Sequence, residues 1–256
     1  MPAARRVALL GAKGGCGTTT LAVNLAAALA GDKTVCAIDL DAGKGDLAGL
    51  LDITPGTTVP DLLGTEFDAA LLRGGAAHHR GGFSVLAQPQ DLSRLARPLP
   101  SEARYLLDVA SEAWASVIVD LGSRIDEAVL SVLTHVDQVV IVAMPDVLSI
   151  RDVVRIRLLL DRIGVQPANQ RYVLNRVPRH PAVPLAEIEA LLRWPPLATI
   201  CEDPDTCLAA LAGGQLLRER APNAAITDDV ERLSHAILGE TPPPRSWWPT
   251  WLGGAT

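Results

Sequence analysis

Nine consecutive residues near the start of the chain have the types and spacing of a phosphate-binding loop: Ala12-Lys13-Gly14-Gly15-Cys16-Gly17-Thr18-Thr19-Thr20. The loop separates an apolar run, Val7 to Leu10, from a helix-like stretch, Leu21 to Ala30. A strand that leads through glycines into a helix directs backbone N–H groups and the positive end of the helix dipole at one point, where an anion is stabilised. Because glycines let the backbone wrap closely around an anion, this stretch predicts a binding site for phosphate groups.

One residue of the loop departs from the common pattern. The pattern G-x-x-x-x-G-K-[ST] ends in a lysine that reaches the phosphates and a hydroxyl that ligates Mg²⁺. Thr19 occupies the hydroxyl position, so we expect it to bind Mg²⁺. Thr18 occupies the lysine position, while a different lysine, Lys13, stands near the start of the loop. The loop therefore has the phosphate cradle without its usual lysine.

Aspartates close two further apolar runs. The predicted strand Thr34 to Asp39 is followed by Asp41, and the run Ser116 to Val119 leads into Asp120. The carboxyl edge of an open α/β sheet is where ligands bind. Asp120 has the Walker B arrangement, in which a carboxylate at the end of a strand holds Mg²⁺ through water. The alternative, in which these aspartates only form turns, remains open at this stage.

The sequence Lys13-Gly14-Gly15-x-Gly17 resembles the deviant Walker loop of the ParA/MinD family of ATPases, which belong to the SIMIBI class of P-loop proteins. Its Thr18-Thr19-Thr20 ending resembles the pilus-assembly branch, the CpaE/TadZ-like proteins. The resemblance implies that Lys13 reaches the phosphates of a partner subunit, so that a homodimer forms with ATP. It also implies that Asp39 lies near Mg²⁺, the γ-phosphate and the attacking water, with Asp41 in the same switch segment.

The resemblance places the nucleotide base at the last two strands. The predicted strand Arg171 to Val177 carries Asn175-Arg176, and in ParA/MinD-like proteins an asparagine here hydrogen-bonds the adenine, which suits the donor and acceptor of an amide. The predicted strand Leu197 to Ile200 leads into Cys201, where the family often has proline in the loop that closes over the adenine. The alternative for Asn175 is an ordinary cap at the end of a strand.

Strands alternate with helices through most of the chain. Further strands are predicted at Phe83 to Ala87 and Gln138 to Met144, and helices at Val59 to Leu63, Glu102 to Ala113, Ala209 to Leu217 and Thr227 to Leu238. This order predicts the α/β class: a mostly parallel, twisted sheet with helices on both faces, as in P-loop NTPases. We expect residues 1–240 to form the nucleotide-binding domain and 241–256 to form a Pro/Trp-rich tail.

Composition narrows the classes of partner and location. The net charge of -6 does not favour nucleic acid. The four cysteines lack C-x-x-C spacing, which argues against a zinc site, a disulfide framework and a metal-cluster carrier. No apolar run approaches the roughly 18 residues of a membrane span, and residues 1–6 are too short for a signal peptide. The expected location is cytoplasmic, with recruitment to a pole or a membrane-associated machine left open.

Three features carry competing interpretations. His78-His79 is interpreted as part of a solvated loop, because adjacent side chains diverge too far to share a metal. The predicted helix after Met144 has interleaved charges, which favour a solvated face over a DNA-binding face: Arg151, Asp152, Arg155, Arg157, Asp161 and Arg162. The tail holds three tryptophans, which favour packing on a partner protein or on the domain itself over lipid binding.

Taken together, the residues and the resemblance predict an ATP-binding, ATP-dimerised switch protein that positions a Flp/Tad-type pilus or secretion apparatus. Hydrolysis is expected to be slow or defective because Thr18 replaces the loop lysine. The alternative is a cycling partition-type ATPase, for chromosome or plasmid segregation or septum-site placement, which binds DNA non-specifically in its ATP state.

Overall fold

A computed structural model of the protein describes residues 5–31 and 33–241, so the predictions made for the tryptophan-rich tail lie outside the described residues. Eight strands form one sheet: β1 Arg5–Gly11, β2 Val35–Asp39, β3 Ala77–His79, β4 Phe83–Leu86, β5 Ser116–Asp120, β6 Gln138–Ala143, β7 Gln170–Val177 and β8 Ala198–Cys201. Their order is β3-β4-β2-β5-β1-β6-β7-β8. The pairings are parallel except that of β3 with β4.

The helices of the described residues are α1 Thr18–Leu29, α2 Leu47–Leu50, α3 Val59–Leu62, α4 Ala69–Gly75, α5 Pro100–Ala113, α6 Glu127–Leu133, α7 Val147–Arg162, α8 Leu185–Leu192, α9 Pro204–Ala212, α10 Leu217–Arg220 and α11 Ala225–Leu238. They cover both faces of the sheet. One core cluster packs the sheet against α5, α6 and α7, and a second packs it against α1 and α11. The predicted fold class is therefore confirmed.

The central strands are apolar along their whole length because both of their faces are buried. Residues 7–10 of β1 and 139–142 of β6 are fully buried, as expected for parallel strands between two helical layers. Parallel strands end at the same edge, so the loop after β1 meets the ends of β2 and β5 there. Asp39 and Asp120 are paired in register across β2 and β5.

Two local predictions are wrong. The expected helix from Ala209 to Leu217 is two helices, because Gly213-Gly214 interrupts it and Gly214 has φ 54°, a left-handed conformation that favours glycine. His79 is not solvated, although its neighbour His78 is exposed. It lies in β3, 3% exposed, with its ring 5.1 Å from that of Phe83 and its Nδ1 accepting the Gly81 N–H. The residue pattern did not predict this short edge strand because turn-forming residues surround it.

Among the described residues, no helix combines the length and the apolar character needed to cross a membrane.

Candidate functional site

The glycine loop leaves the first turn of α1 open to an anion. Gly17 is the N-cap residue, with φ 85°, and neither a side-chain cap nor an acidic residue satisfies the first turn. Gly15 has φ 82°, and a Cβ placed on it would meet no atom within 4 Å. Because the first N–H groups of a helix have no partner within the helix, this open turn fits a phosphate group.

Two threonines at the start of α1 point to different places. Thr18 is 7% exposed, and its Oγ1 lies only 2.6 Å from the position that a Cβ on Gly11 would occupy. Its side chain therefore packs beneath the loop. Thr19 instead donates a side-chain hydrogen bond to Asp120. This geometry puts the Thr19 hydroxyl on the side of the carboxylates, where its expected role in binding Mg²⁺ requires it.

Asp39 and Asp120 are buried carboxylates on adjacent strands, 0% and 1% exposed. Asp39 accepts the N–H groups of Asp41 at 3.0 Å and Leu47 at 3.2 Å. Burial, followed by the charge of Asp120, raises the pKa of Asp39 well above its usual range. Burial also raises the pKa of Asp120 to about 6, although hydrogen bonds from Thr19 and Gly122 work in the opposite direction. Each carboxylate thus resists ionisation in the absence of a cation.

One oxygen of this pair has no hydrogen-bond partner. Within the described part of the chain, Asp120 Oδ2 is buried and unbonded, while Oδ1 accepts the Gly122 N–H at 3.0 Å. Carboxylate and hydroxyl oxygens are the ligands that Mg²⁺ prefers, and a cation would stabilise the ionised form of both carboxylates. The residues present therefore fit a magnesium ion between α1 and the ends of β2 and β5.

Asp41 borders the same space without entering the buried pair. Its Oδ1 accepts the Gly43 N–H at 2.8 Å, which closes a tight turn. Its Oδ2 would lie 2.4 Å from a Cβ on Gly122, and Gly122 has φ 59°. The segment after β2 therefore packs directly on the loop after β5, and only glycine fits at that contact.

Lys13 is held by a residue that sequence reasoning did not select. Its Nζ lies 3.0 Å from both oxygens of Asp146, the N-cap residue of α7, and both side chains are partly exposed. Partial burial acts to raise the pKa of Asp146, but hydrogen bonds from Ser149 and Lys13 outweigh it and lower that pKa. An aspartate between a strand and a helix is a typical N-cap signal. That signal predicts the cap but not the ion pair with a loop 133 residues away.

The residues expected to bind the base lie at the opposite end of the loop, around a cleft of about 220 Å³. Asn175 Nδ2 donates to the Cys16 carbonyl at 2.8 Å, and it would lie 2.6 Å from a Cβ on Gly17. Arg176 is exposed and left-handed, with φ 53°, at an irregularity in the pairing of β7 with β8. Polar and apolar side chains both line the cleft: Asn175, Arg176, Cys201, Glu202 and Asp203 among the first, and Leu21, Ile200, Leu217, Ile226 and Val230 among the second.

The structure therefore brings the predicted residues together in two groups on either side of one loop. Thr19, Asp39 and Asp120 lie at the carboxylate end and Asn175, Arg176 and Cys201 at the cleft, while Lys13 pairs with Asp146 at the start of α7. Among the described residues, no cluster of three or more His, Cys, Asp or Glu side chains has the arrangement of a metal site by itself. A magnesium site here therefore depends on the Thr19 hydroxyl, water and phosphate oxygens in addition to carboxylates.

Several curated proteins are similar to this chain in sequence. Among curated proteins, an uncharacterised ATP-binding protein of Methanocaldococcus jannaschii is 26% identical over 238 residues, covering 91% of this chain and 87% of the relative. The septum site-determining protein MinD of Bacillus subtilis is 24% identical over 249 residues, covering 93% and 90%. The ESX-1 secretion-associated protein EspI of Mycobacterium tuberculosis is 31% identical over 144 residues, but these span 54% of this chain and 22% of EspI.

Solved structures give the same result for the fold. The ParA family ATPase of Chlorobium tepidum superposes with a TM-score of 0.83 at 26% identity, covering 91% of this chain and 98% of the other. MinD of Pyrococcus horikoshii, solved as a complex with Mg-ADP, has a TM-score of 0.79 at 19% identity, covering 91% and 96%. The family model described as the CobQ/CobB/MinD/ParA nucleotide binding domain matches residues 7–216. Because this match covers most of the chain, the chain belongs to the CobQ/CobB/MinD/ParA nucleotide-binding domain family.

Proposed function

We propose that this protein is an ATP-binding switch that dimerises when ATP and Mg²⁺ are bound. The observation that carries the proposal is the unbonded Asp120 Oδ2 beside the open first turn of α1, since together they fit the metal and the phosphates of one nucleotide. Relatives described as ATP-binding and a Mg-ADP complex of a MinD support this choice of ligand.

Each residue of the site has a separate role in the proposal. The backbone N–H groups of Gly14, Gly15, Cys16 and Gly17, with those of Thr18, Thr19 and Thr20, hold the phosphates. The Thr19 hydroxyl and Asp120 would hold Mg²⁺, whose positive charge would offset the charge of the phosphates. Asp39 orients the attacking water. Asn175 contacts the adenine with its free amide oxygen, while Arg176 and Cys201 flank the base.

Hydrolysis is slow because Thr18 stands where the loop pattern has the ammonium group of a lysine. Its side chain is buried beneath the loop and uncharged, so the phosphates meet only backbone amides there. Loss of one preorganised group that stabilises developing charge typically lowers a rate by about a hundredfold to a thousandfold. A slow step gives a long-lived ATP state, which suits a protein that marks a location.

Lys13 is the residue through which the dimer forms. In the single chain, its ion pair with Asp146 is partly exposed, and such pairs contribute only about 0–1 kcal/mol. Release of Lys13 towards the phosphates of a partner subunit therefore costs little. The family resemblance of the early lysine supports this transfer between subunits.

Sedimentation or size exclusion with and without ATP and Mg²⁺ tests the proposal. The parent and the exposed control Lys33→Ala should dimerise with MgATP and remain monomeric with MgADP, whereas Lys13→Ala should remain monomeric with both. If Lys13→Ala dimerises as readily as the parent, the role of Lys13 between subunits is wrong. If the parent binds MgATP and stays monomeric at all concentrations, the switch itself is wrong.

The proposed cellular role is to position a Flp/Tad-type pilus or a secretion apparatus. The Thr18-Thr19-Thr20 ending of the loop supports the pilus-assembly branch, and EspI, whose description names a secretion system, matches over 144 residues. A fluorescent fusion should concentrate where the apparatus assembles and should disperse in the Lys13→Ala variant. A fusion that instead follows the chromosome would contradict this role.

The partition-type alternative predicts ATP-dependent binding to DNA. On α7, Asp152 pairs with Arg151 at 3.5 Å and with Arg155 at 3.0 Å, which reduces the positive charge available to phosphates. We therefore expect no binding of non-specific duplex DNA at physiological salt, with or without ATP, by fluorescence anisotropy. Tight binding that needs ATP and weakens steeply with salt would favour the alternative.

A further inference from the structure

Negative charge is crowded at the carboxylate end of the loop. Asp39 and Asp120 are buried there, and Asp41 and Asp46 are near enough to act on Asp120 electrostatically. A nucleotide triphosphate would bring further negative charge to the same place. Lys13, the cation of the loop itself, is engaged by Asp146 in the single chain. Thr18 supplies no charge, so a further cation from the same subunit would stabilise the terminal phosphate there.

The loop after β5 carries such a cation, Arg124, and this loop contacts both the end of β1 and the segment after β2. The Gly122 carbonyl accepts the Gly11 N–H at 2.7 Å, which fixes the loop against the end of β1. Ser123 Oγ would lie 4.0 Å from a Cβ on Gly14, and Arg124 Cδ would lie 3.5 Å from a Cβ on Gly43. The stem of Arg124 therefore lies against the segment after β2, while its neighbour Ser123 lies beside Gly14 of the phosphate loop.

The guanidinium group of Arg124 is not engaged elsewhere. Across residues 5–31 and 33–241, no hydrogen bond or ion pair involves this side chain, and the residue is exposed. Arg80 and Arg218, by contrast, are engaged: Arg80 pairs with Glu219, and Arg218 donates to the carbonyls of Ala27 and Gly81. A planar guanidinium suits phosphate oxygens because it donates two parallel hydrogen bonds.

We propose that Arg124 binds the terminal phosphate of ATP within the same subunit. The inference rests on the proposed ATP-binding function. It assigns to the loop after β5 a direct contact with the group that distinguishes ATP from ADP. A single subunit would then distinguish ATP from ADP through Arg124 before it dimerises.

Binding of two nucleotides to four variants tests the assignment. Calorimetry measures the affinity for the Mg²⁺ complex of a non-hydrolysable ATP analogue and the affinity for MgADP. Both are measured on the Lys13→Ala protein, because this substitution keeps the chain monomeric. In that background, Arg124→Ala should lower the affinity for the analogue by about tenfold to a hundredfold, as expected for the loss of a charge-assisted hydrogen bond. The affinity for MgADP should change less than about twofold. Arg124→Lys should recover part of the loss. The control Lys44→Ala removes another exposed cation from the same edge and should leave both affinities unchanged.

Three outcomes would overturn the assignment, and a fourth would refute the proposed function. Equal weakening of both nucleotides by Arg124→Ala would indicate a general change in the site rather than a contact with the terminal phosphate. Equal effects of Lys44→Ala and Arg124→Ala would indicate a diffuse field effect. A loss seen only when Lys13 is present would place Arg124 at the dimer interface. Failure of the parent to bind either nucleotide would instead refute the proposed function, which separates the two hypotheses.

Discussion

At the scale of single residues, Asp120 is a stabilising carboxylate only when a cation is present. Burial raises its pKa to about 6 from an ordinary 3.8, so at neutral pH the folded protein holds an ionised group that the fold disfavours. The corresponding penalty is on the order of 2–3 kcal/mol. The site therefore lowers the stability of the nucleotide-free protein in exchange for binding a metal.

Asp120→Asn should raise the thermal unfolding midpoint of the nucleotide-free protein by several degrees. The amide oxygen can still accept the Gly122 N–H, while the amide nitrogen can donate to the neighbouring Asp39. Added MgATP should then stabilise the variant less than it stabilises the parent. Differential scanning calorimetry checks both expectations, with the exposed Glu66→Gln as control. A fall in the midpoint would mean that the carboxylate stabilises the nucleotide-free fold.

Thr18→Lys should raise the rate of ATP hydrolysis at least about tenfold and tighten ATP binding, because it restores the charge that stabilises the transition state. Thr18→Met has a side chain of comparable length without the charge and controls for packing beneath the loop. Steady-state phosphate release measures the rate at several protein concentrations. Brisk hydrolysis by the parent that does not depend on its concentration would contradict the account of a slow switch.

At the scale of elements, the phosphate loop and β7 pack directly against each other at Gly17. A Cβ on Gly17 would lie 2.6 Å from Asn175 Nδ2, and the residue has φ 85°. Gly17→Ala should therefore combine a left-handed alanine, which costs about 1–2 kcal/mol, with displacement of the Asn175 side chain. Gly15→Ala has a similar φ of 82° with open space around it, so it measures the backbone term alone.

Urea unfolding should rank the two variants, with Gly17→Ala the less stable of the pair. Nucleotide affinity should fall with Gly17→Ala as well, since Asn175 also binds the Cys16 carbonyl. Equal losses of stability in both variants would mean that the contact with Asn175 is soft and that β7 is not fastened to the loop there.

The β3–β4 hairpin makes the stability of the fold depend on pH. Burial lowers the pKa of His79 below its ordinary 6.5, and the nearby Arg80, Arg218 and His78 add to this, whereas Glu219 opposes it. His79 therefore binds fewer protons when folded than when unfolded. Its contribution to stability is full above pH 6.5 and is lost as the pH falls through the lowered pKa.

His79→Asn should flatten the pH dependence of the free energy of unfolding between about pH 7 and 5. The asparagine oxygen can still accept the Gly81 N–H, although the contact of the ring with Phe83 is lost. The exposed His78→Asn serves as control and should keep the slope of the parent. If both variants show the slope of the parent, His79 does not titrate in this range.

At the scale of the whole molecule, the sequence predicted the architecture better than the contacts inside the site. Buried apolar runs that end in aspartate predict parallel strands, and parallel strands bring Asp39 and Asp120 to one edge whatever their exact pairing. The register that sets them side by side depends on how β2 and β5 align, which no local pattern encodes. The ion pair of Lys13 with Asp146 and the packing of Arg124 on Gly43 likewise arise from folding, because each joins residues far apart in the chain.

Short strands were also difficult to predict from the sequence. β3 has three residues and is surrounded by glycines, so neither alternation nor length distinguishes it from a loop. His79 gave no signal of burial because its partners, Phe83 and the Gly81 N–H, become neighbours only when the hairpin closes. Gly213-Gly214 could have been read as a helix break, since glycine disfavours helix interiors.

The two edges of the sheet have a consequence for assembly. Its edge strands, β3 and β8, have three and four residues and offer little exposed backbone to another strand. Edge strands of this kind suppress the growth of a sheet from one molecule into the next. Protein polymers that extend by strand addition are therefore disfavoured for this chain. For residues 5–31 and 33–241, association through side chains of helices and loops is favoured over strand addition.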